Sequence, residues 1–210
     1  MSELGMPKDR LEAFSDCVIA FAMTLLVIDI RFPELGANID NHGMLLALLA
    51  LLPNFAVYLV SFLVCTVWWV SHHTFIHDLR HVDRPLLWIN NLFLMWIAMM
   101  PLPTALLGHH LGQPVATTFY GAVCAFTGLS FWLMRWHASG RGQLMKRQIG
   151  EAELRRRQRI SLGCPILYLI VTAASFFFPL FALCLYAAIA CYFAVANFGS
   201  AQSRATVLSE

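Results

Sequence analysis

The sequence predicts an all-α, polytopic membrane protein with six transmembrane helices, and three observations carry that reading. Six long apolar runs take up nearly the whole chain. Its residues are 59% hydrophobic and only 12% charged, with a mean hydropathy of +0.67, which an ordinary soluble domain does not reach. The basic residues, finally, gather in alternate connections between the runs.

A spanning helix needs roughly 20 mostly apolar residues, and runs of that kind cover about 10–30, 44–71, 86–107, 114–136, 160–178 and 180–198. Little is left over for a soluble catalytic domain, so 1–210 reads as a single transmembrane domain. Of the 14 Lys and Arg residues, Arg31 alone falls on the outer side, so the positive-inside rule puts both termini in the cytoplasm. The net charge of +2 follows from that bias and gives no nucleic-acid surface. The first run is too long for a cleaved signal peptide, carries Asp16 and Asp29, and lacks a small-residue cleavage site, so it is expected to stay in the protein.

The first span is the most polar, with Arg10, Ser15, Asp16, Thr24 and Asp29. Polar groups inside a bilayer are expensive and therefore mark function or helix-helix contact. Asp16 and Asp29 stand roughly 20 Å apart at 1.5 Å per residue. Between them Phe21, Thr24, Leu25 and Ile28 follow the three-and-four spacing of one helical face. Plainer alternatives remain open at this stage: Asp16 pairs with Arg10 or caps a helix, and Asp29 pairs with Arg31.

The second span ends in WWVSHHTFIHDLRHVD, where His73, His77 and His81 recur every fourth residue. That spacing can hold a metal, but HExxH is absent and no carboxylate completes the set, so no metal site is expected. His72 or His73 can instead bond the polar turn of the first span. The third span carries Asn90 and Asn91 near its cytoplasmic end, and Pro101, Pro103 and Thr104 near its outer end. Asn at such depth serves as a bond between helices. The polar stretch from Arg135 to Arg159 reads as a cytoplasmic basic linker, about 137–159, whose charges face water or anionic lipid headgroups. The last two spans meet at FFFPLF, which requires a tight hairpin at Pro179, and their faces are apolar nearly all round. Six cysteines, Cys17, Cys65, Cys124, Cys164, Cys184 and Cys191, lie within spans without CxxC spacing, and read as inert thiols.

The strings RLEAFSD, WWVSHH and LLWINNLFL running to PLPTALL resemble the bacterial homologues of the lysosomal potassium channel, the transmembrane protein 175 family. Arg10, Phe14, Ser15 and Asp16 match the family's RxxxFSD signature residue by residue. The resemblance implies a potassium-preferring cation channel, a homotetramer in a bacterial plasma membrane whose first helix lines a central pore. It implies a constriction of Phe21, Leu25 and Ile28 with Thr24 as a hydroxyl ring, where the family's first constriction residue is Ile or Leu rather than Phe. Asp29 would attract cations at the outer mouth. Arg10, Ser15 and Asp16 would tie the first helix to its neighbours through His72 or His73 and Asn90. The implied partners are other copies of the chain, membrane lipids and permeant potassium ions, with no further cofactor. Neither the family nor this chain carries the TVGYG carbonyl filter.

Rival readings differ in what they demand. A secondary transporter calls for inverted repeats and charges paired at the midplane, neither of which is apparent. An intramembrane enzyme needs a nucleophile and base, or metal ligands, converging from several helices, and no such set is visible, so no enzyme is expected. A proton or weakly selective cation pathway stays closest, because Asp16 and the histidines can titrate. A non-conducting scaffold draws its support from Phe21.

Overall fold

The computed structural model describes residues 8–31, 39–140, 144–145 and 151–208. Among them are eight helices: α1 (Lys8–Ile28), α2 (Asn41–Ala50), α3 (Leu52–His77), α4 (Arg84–Met99), α5 (Pro101–His109), α6 (Pro114–Gly140), α7 (Glu151–Ser175) and α8 (Pro179–Leu208). Among the described residues an isolated antiparallel bridge joins Leu79 to Met145, where the Arg80 amide donates to the Leu144 carbonyl at 2.7 Å.

Among the described residues four stretches are long and apolar enough to cross a membrane: Lys8–Ile28, Leu52–His77, Arg84–His109 and Pro114–Gly140. Shorter apolar helices cover Asn41–Ala50, Ser161–Ser175 and Pro179–Val195. Prolines explain where rods start and break. Pro53 has no N–H to give, and its ring crowds the carbonyl four residues back, so the run expected at 44–71 divides at Leu51 into α2 and α3. The same chemistry at Pro101 and Pro103 separates α5 from α4 at Met100, whose amide turns back to the Ile97 carbonyl at 3.0 Å. Pro114 and Pro179 stand first in α6 and α8, where a missing N–H does no harm. Aspartates cap two starts: Asp40 accepts from the Gly43 amide at 2.8 Å and Asp83 from the Leu86 amide at 2.9 Å. Gly112, at φ 85°, makes the left-handed turn between α5 and α6 that other residues resist. Only Phe176–Phe178 separate α7 from α8, which gives the expected tight hairpin. Of the basic stretch, 141–143 and 146–150 lie outside the described residues.

The helices pack as two groups around α3 and α6. α1 lies against α3, α4 and α5, while α6 packs on α4, α5, α7 and α8, and α8 also reaches α3. Lipid is as apolar as leucine, so association rests on close packing and interhelical hydrogen bonds. Gly128 lets Pro165 of α7 and Trp68 of α3 approach α6 closely; a Cβ there would stand 3.2 and 3.3 Å from them. An aromatic cluster of Trp68, Phe93 and Phe131, with ring centroids 5.6 to 6.2 Å apart, fills the junction of α3, α4 and α6.

Candidate functional site

α1 has two unlike faces. Leu11, Ser15, Ile19, Ala22 and Leu26 are buried against the bundle, whereas Arg10, Phe14, Cys17, Phe21, Thr24 and Ile28 are exposed. The second set recurs at three- and four-residue steps and so forms one stripe along the helix. Phe21 and Ile28 are each 65% exposed, a large apolar surface left without a partner inside the protomer. Leu25 stands at the edge of the stripe, partly buried, and Asp29, also partly buried, follows the last turn of α1. The Thr24 hydroxyl donates to the Phe21 carbonyl at 2.7 Å. Its proton is thereby committed to the backbone, and the oxygen keeps both lone pairs as an acceptor on the exposed stripe.

The buried face is fastened by side-chain hydrogen bonds. Asn90 of α4 donates through Nδ2 to the Ser15 hydroxyl at 3.1 Å and accepts through Oδ1 from His72 Nε2 at 2.8 Å. All three residues are fully buried. Because an amide oxygen only accepts, His72 carries its proton on Nε2, and Nδ1 is left as a buried lone pair with no hydrogen-bond partner. His72 also stacks flat on Phe93, at 5.3 Å and 1°. Asp16 accepts from Trp69 Nε1 at 2.9 Å, and His73 Nδ1 lies 3.1 Å from Glu12 Oε1. Ser15, Asp16, His72, His73 and Asn90 are therefore brought together, whereas Arg10 and Phe14 sit on the exposed stripe, away from them. The simple pairings of Asp16 with Arg10 and of Asp29 with Arg31 are not found among the described residues. Asn91 is exposed, and His81 lies beyond the end of α3, so the four-residue histidine spacing does not continue as one helical face.

Two polar clusters went unread in the sequence. Thr104 of α5 donates to Ser61 of α3 at 2.9 Å, and Ser61 in turn lies 3.3 Å from the Tyr120 hydroxyl of α6. In the hairpin that reads as apolar all round, Thr172 of α7 meets the Tyr186 hydroxyl of α8 at 3.1 Å, and both press on α6 at Gly121, where a Cβ would collide with them. The signal was present as a glycine mid-helix and hydroxyls in apolar runs, but which helix each would meet was not. Outside the spans, His137 Nε2 lies 2.8 Å from Asp83 Oδ2 and links the end of α6 to the cap of α4.

Fold and site together define a polytopic helical membrane protein in which polar side chains fasten one face of the first helix and leave the other free. The family described as "Endosomal/lysosomal potassium channel TMEM175" matches residues 10–101. A potassium channel of Streptomyces collinus is 38% identical over 175 residues, 79% of this chain and 81% of that one. A potassium channel of Chryseobacterium is 33% identical over 91% of both chains. The human endosomal/lysosomal proton channel TMEM175 is 32% identical over 102 residues, which are 46% of this chain and 20% of that protein. Among solved structures, the lysosomal potassium-selective channel TMEM175 homologue from Chamaesiphon minutus superposes with a TM-score of 0.79 at 30% identity, over 90% of this chain and 97% of that one. The chain belongs to the TMEM175 family.

Proposed function

We propose that this protein is a potassium-preferring cation channel, a homotetramer whose exposed α1 stripe lines a pore on the symmetry axis. The observation that carries the reading is that stripe. Phe14, Cys17, Phe21, Thr24 and Ile28 stand together on the one face of α1 that the protomer leaves uncovered, and Thr24 offers a hydroxyl oxygen whose proton is already used. Four such oxygens around an axis would replace part of an ion's water shell, and potassium gives up that shell more easily than sodium. Four copies of Phe21, Ile28 and the bordering Leu25 would form apolar rings that close by excluding water. Asp29 would concentrate cations at the outer mouth without holding them. Cyclic symmetry generates the closed ring from one surface patch.

The names of the bacterial relatives and the Chamaesiphon channel support potassium as the permeant ion. In this reading α2 with α3, and α4 with α5, each count as one broken span, giving six with α1, α6, α7 and α8. Both termini are cytoplasmic, the chain forms a single domain in the plasma membrane of a bacterium, and lipids surround it. The chemistry is permeation rather than catalysis, and permeation itself needs no cofactor beyond the permeant ions.

A second reading, proton conduction, draws support from the human relative's name. Liposomes loaded with potassium and diluted into sodium separate the two. The proposal expects flux that follows the potassium gradient and falls when sodium replaces potassium. Proton flux without potassium flux favours the second reading, and well-folded protein with neither contradicts both.

A further inference from the structure

We propose that Glu12, Asp16 and His73 form a site for a late divalent transition-metal ion of the Zn²⁺ class, which bridges the N-terminal half of α1 to the C-terminal end of α3. One ligand atom from each residue lies within 4.8 Å of the others. In a tetrahedral zinc site with bonds of about 2.0–2.2 Å, ligand atoms stand about 3.4 Å apart. His73 Nδ1 and Glu12 Oε1, at 3.1 Å, already define one such edge. Asp16 supplies the third corner, with its ligand oxygen within 4.8 Å of the other two atoms.

The surroundings suit a ligand set rather than a simple ion pair. Glu12 and Asp16 are four residues apart on α1 and share a face. Among the described residues neither carboxylate has a Lys or Arg partner, so two negative charges stand beside one imidazole. Trp69 donates to Asp16 Oδ1 at 2.9 Å, and its ring lies 6.0 Å from that of His73. Such outer contacts fix the orientation of metal ligands. The second carboxylate oxygen, Oδ2, makes no hydrogen bond among the described residues. The His73 side chain is 50% exposed and Glu12 23%, so an ion can enter and a water can take the fourth position. One nitrogen and two oxygens favour zinc, cobalt or nickel over magnesium and calcium, which prefer all-oxygen shells. Beside this cluster, the buried and unpartnered His72 Nδ1 lies within electrostatic reach of the same two carboxylates, so an ion bound there also acts on the network that holds α1.

The test is Co²⁺ titration of the full-length purified protein, followed by visible absorption and calorimetry, with Zn²⁺ as competitor. The expected result is one tetrahedral Co²⁺ per chain, displaced by stoichiometric Zn²⁺ but not by millimolar Mg²⁺. His73→Ala and Glu12→Gln weaken binding at least tenfold, and His77→Ala leaves it unchanged. His73→Cys keeps the ion and adds a thiolate-to-cobalt charge-transfer band, which no merely structural role for His73 would produce. Wild-type affinity in His73→Ala, displacement by Mg²⁺, or loss of binding in His77→Ala overturns the assignment. Because binding is read directly, the outcome is independent of whether the protein conducts potassium.

Discussion

Replacing Asn90 by leucine keeps the number and branching of the side-chain heavy atoms and removes both of its hydrogen bonds, to Ser15 Oγ at 3.1 Å and from His72 Nε2 at 2.8 Å. Interhelical hydrogen bonds in membranes average about 0.6 kcal/mol each, so the two together supply about 1 kcal/mol. The larger effect is on His72. Its Nδ1 already has no partner, and the substitution strands Nε2–H as well, which adds about 1–3 kcal/mol for a buried donor. Asn90→Leu is therefore expected to lower stability by about 2–4 kcal/mol. The double variant His72→Phe/Asn90→Leu removes both partners and retains a ring to stack on Phe93. It should be more stable than the sum of the single effects by about 1–3 kcal/mol, since apolar replacement of both partners is nearly neutral. Equilibrium unfolding in mixed detergent micelles measures the cycle. Additivity within about 0.5 kcal/mol would show that His72 and Asn90 act independently, and would refute the network as the fastening of α1.

Four other outcomes are expected. Gly121→Ala pushes a methyl group into Tyr186 and Thr172 and should destabilise the protein by about 1–3 kcal/mol, measured as a drop in thermal midpoint, with part of the loss restored by Tyr186→Leu. Phe21→Ala should raise potassium flux in liposomes if its ring narrows the pore; unchanged flux places it off the path. Thr24→Ala should lower the potassium-to-sodium permeability ratio, and an unchanged ratio moves the selectivity determinant elsewhere. Asp29→Asn should reduce cation flux at low ionic strength while leaving it nearly unaffected at high salt, because surface potentials are screened within about 8–10 Å at physiological salt.

Which features were legible in the sequence follows from what helical periodicity can report. Period and hydropathy give each residue a depth and a face, so Ser15, Asp16, the His72–His73 pair and the Asn90–Asn91 pair stood out as polar groups within apolar runs, and the family resemblance joined them into one network. Their meeting depended on how α1, α3 and α4 cross, and the sequence could offer only His72 or His73 as alternatives. The structure separates them: His72 bonds Asn90, and His73 faces Glu12. Trp69 was not legible as a partner for Asp16, because an indole in an apolar run shows neither where its N–H points nor which helix it meets. The hydroxyls of Thr172 and Tyr186 were lost in an apolar average, and Gly121 gains meaning only once α7 and α8 lie against it. The joint at Leu51 was hidden because the apolar residues before Pro53 continue the hydropathy pattern without a gap, so that 44–71 reads as one span.

Cys17 offers the most direct test of the central claim, that the exposed face of α1 lines the ion path. It is a native free thiol on the same stripe as Phe21 and Thr24, one turn nearer the N-terminus. A charged, membrane-impermeant methanethiosulfonate applied to both sides of channel-containing liposomes should reduce potassium flux in the wild-type protein and leave Cys17→Ser unaffected. Equal responses in the two proteins, with Cys17 shown by mass spectrometry to be modified, would contradict an α1-lined pore.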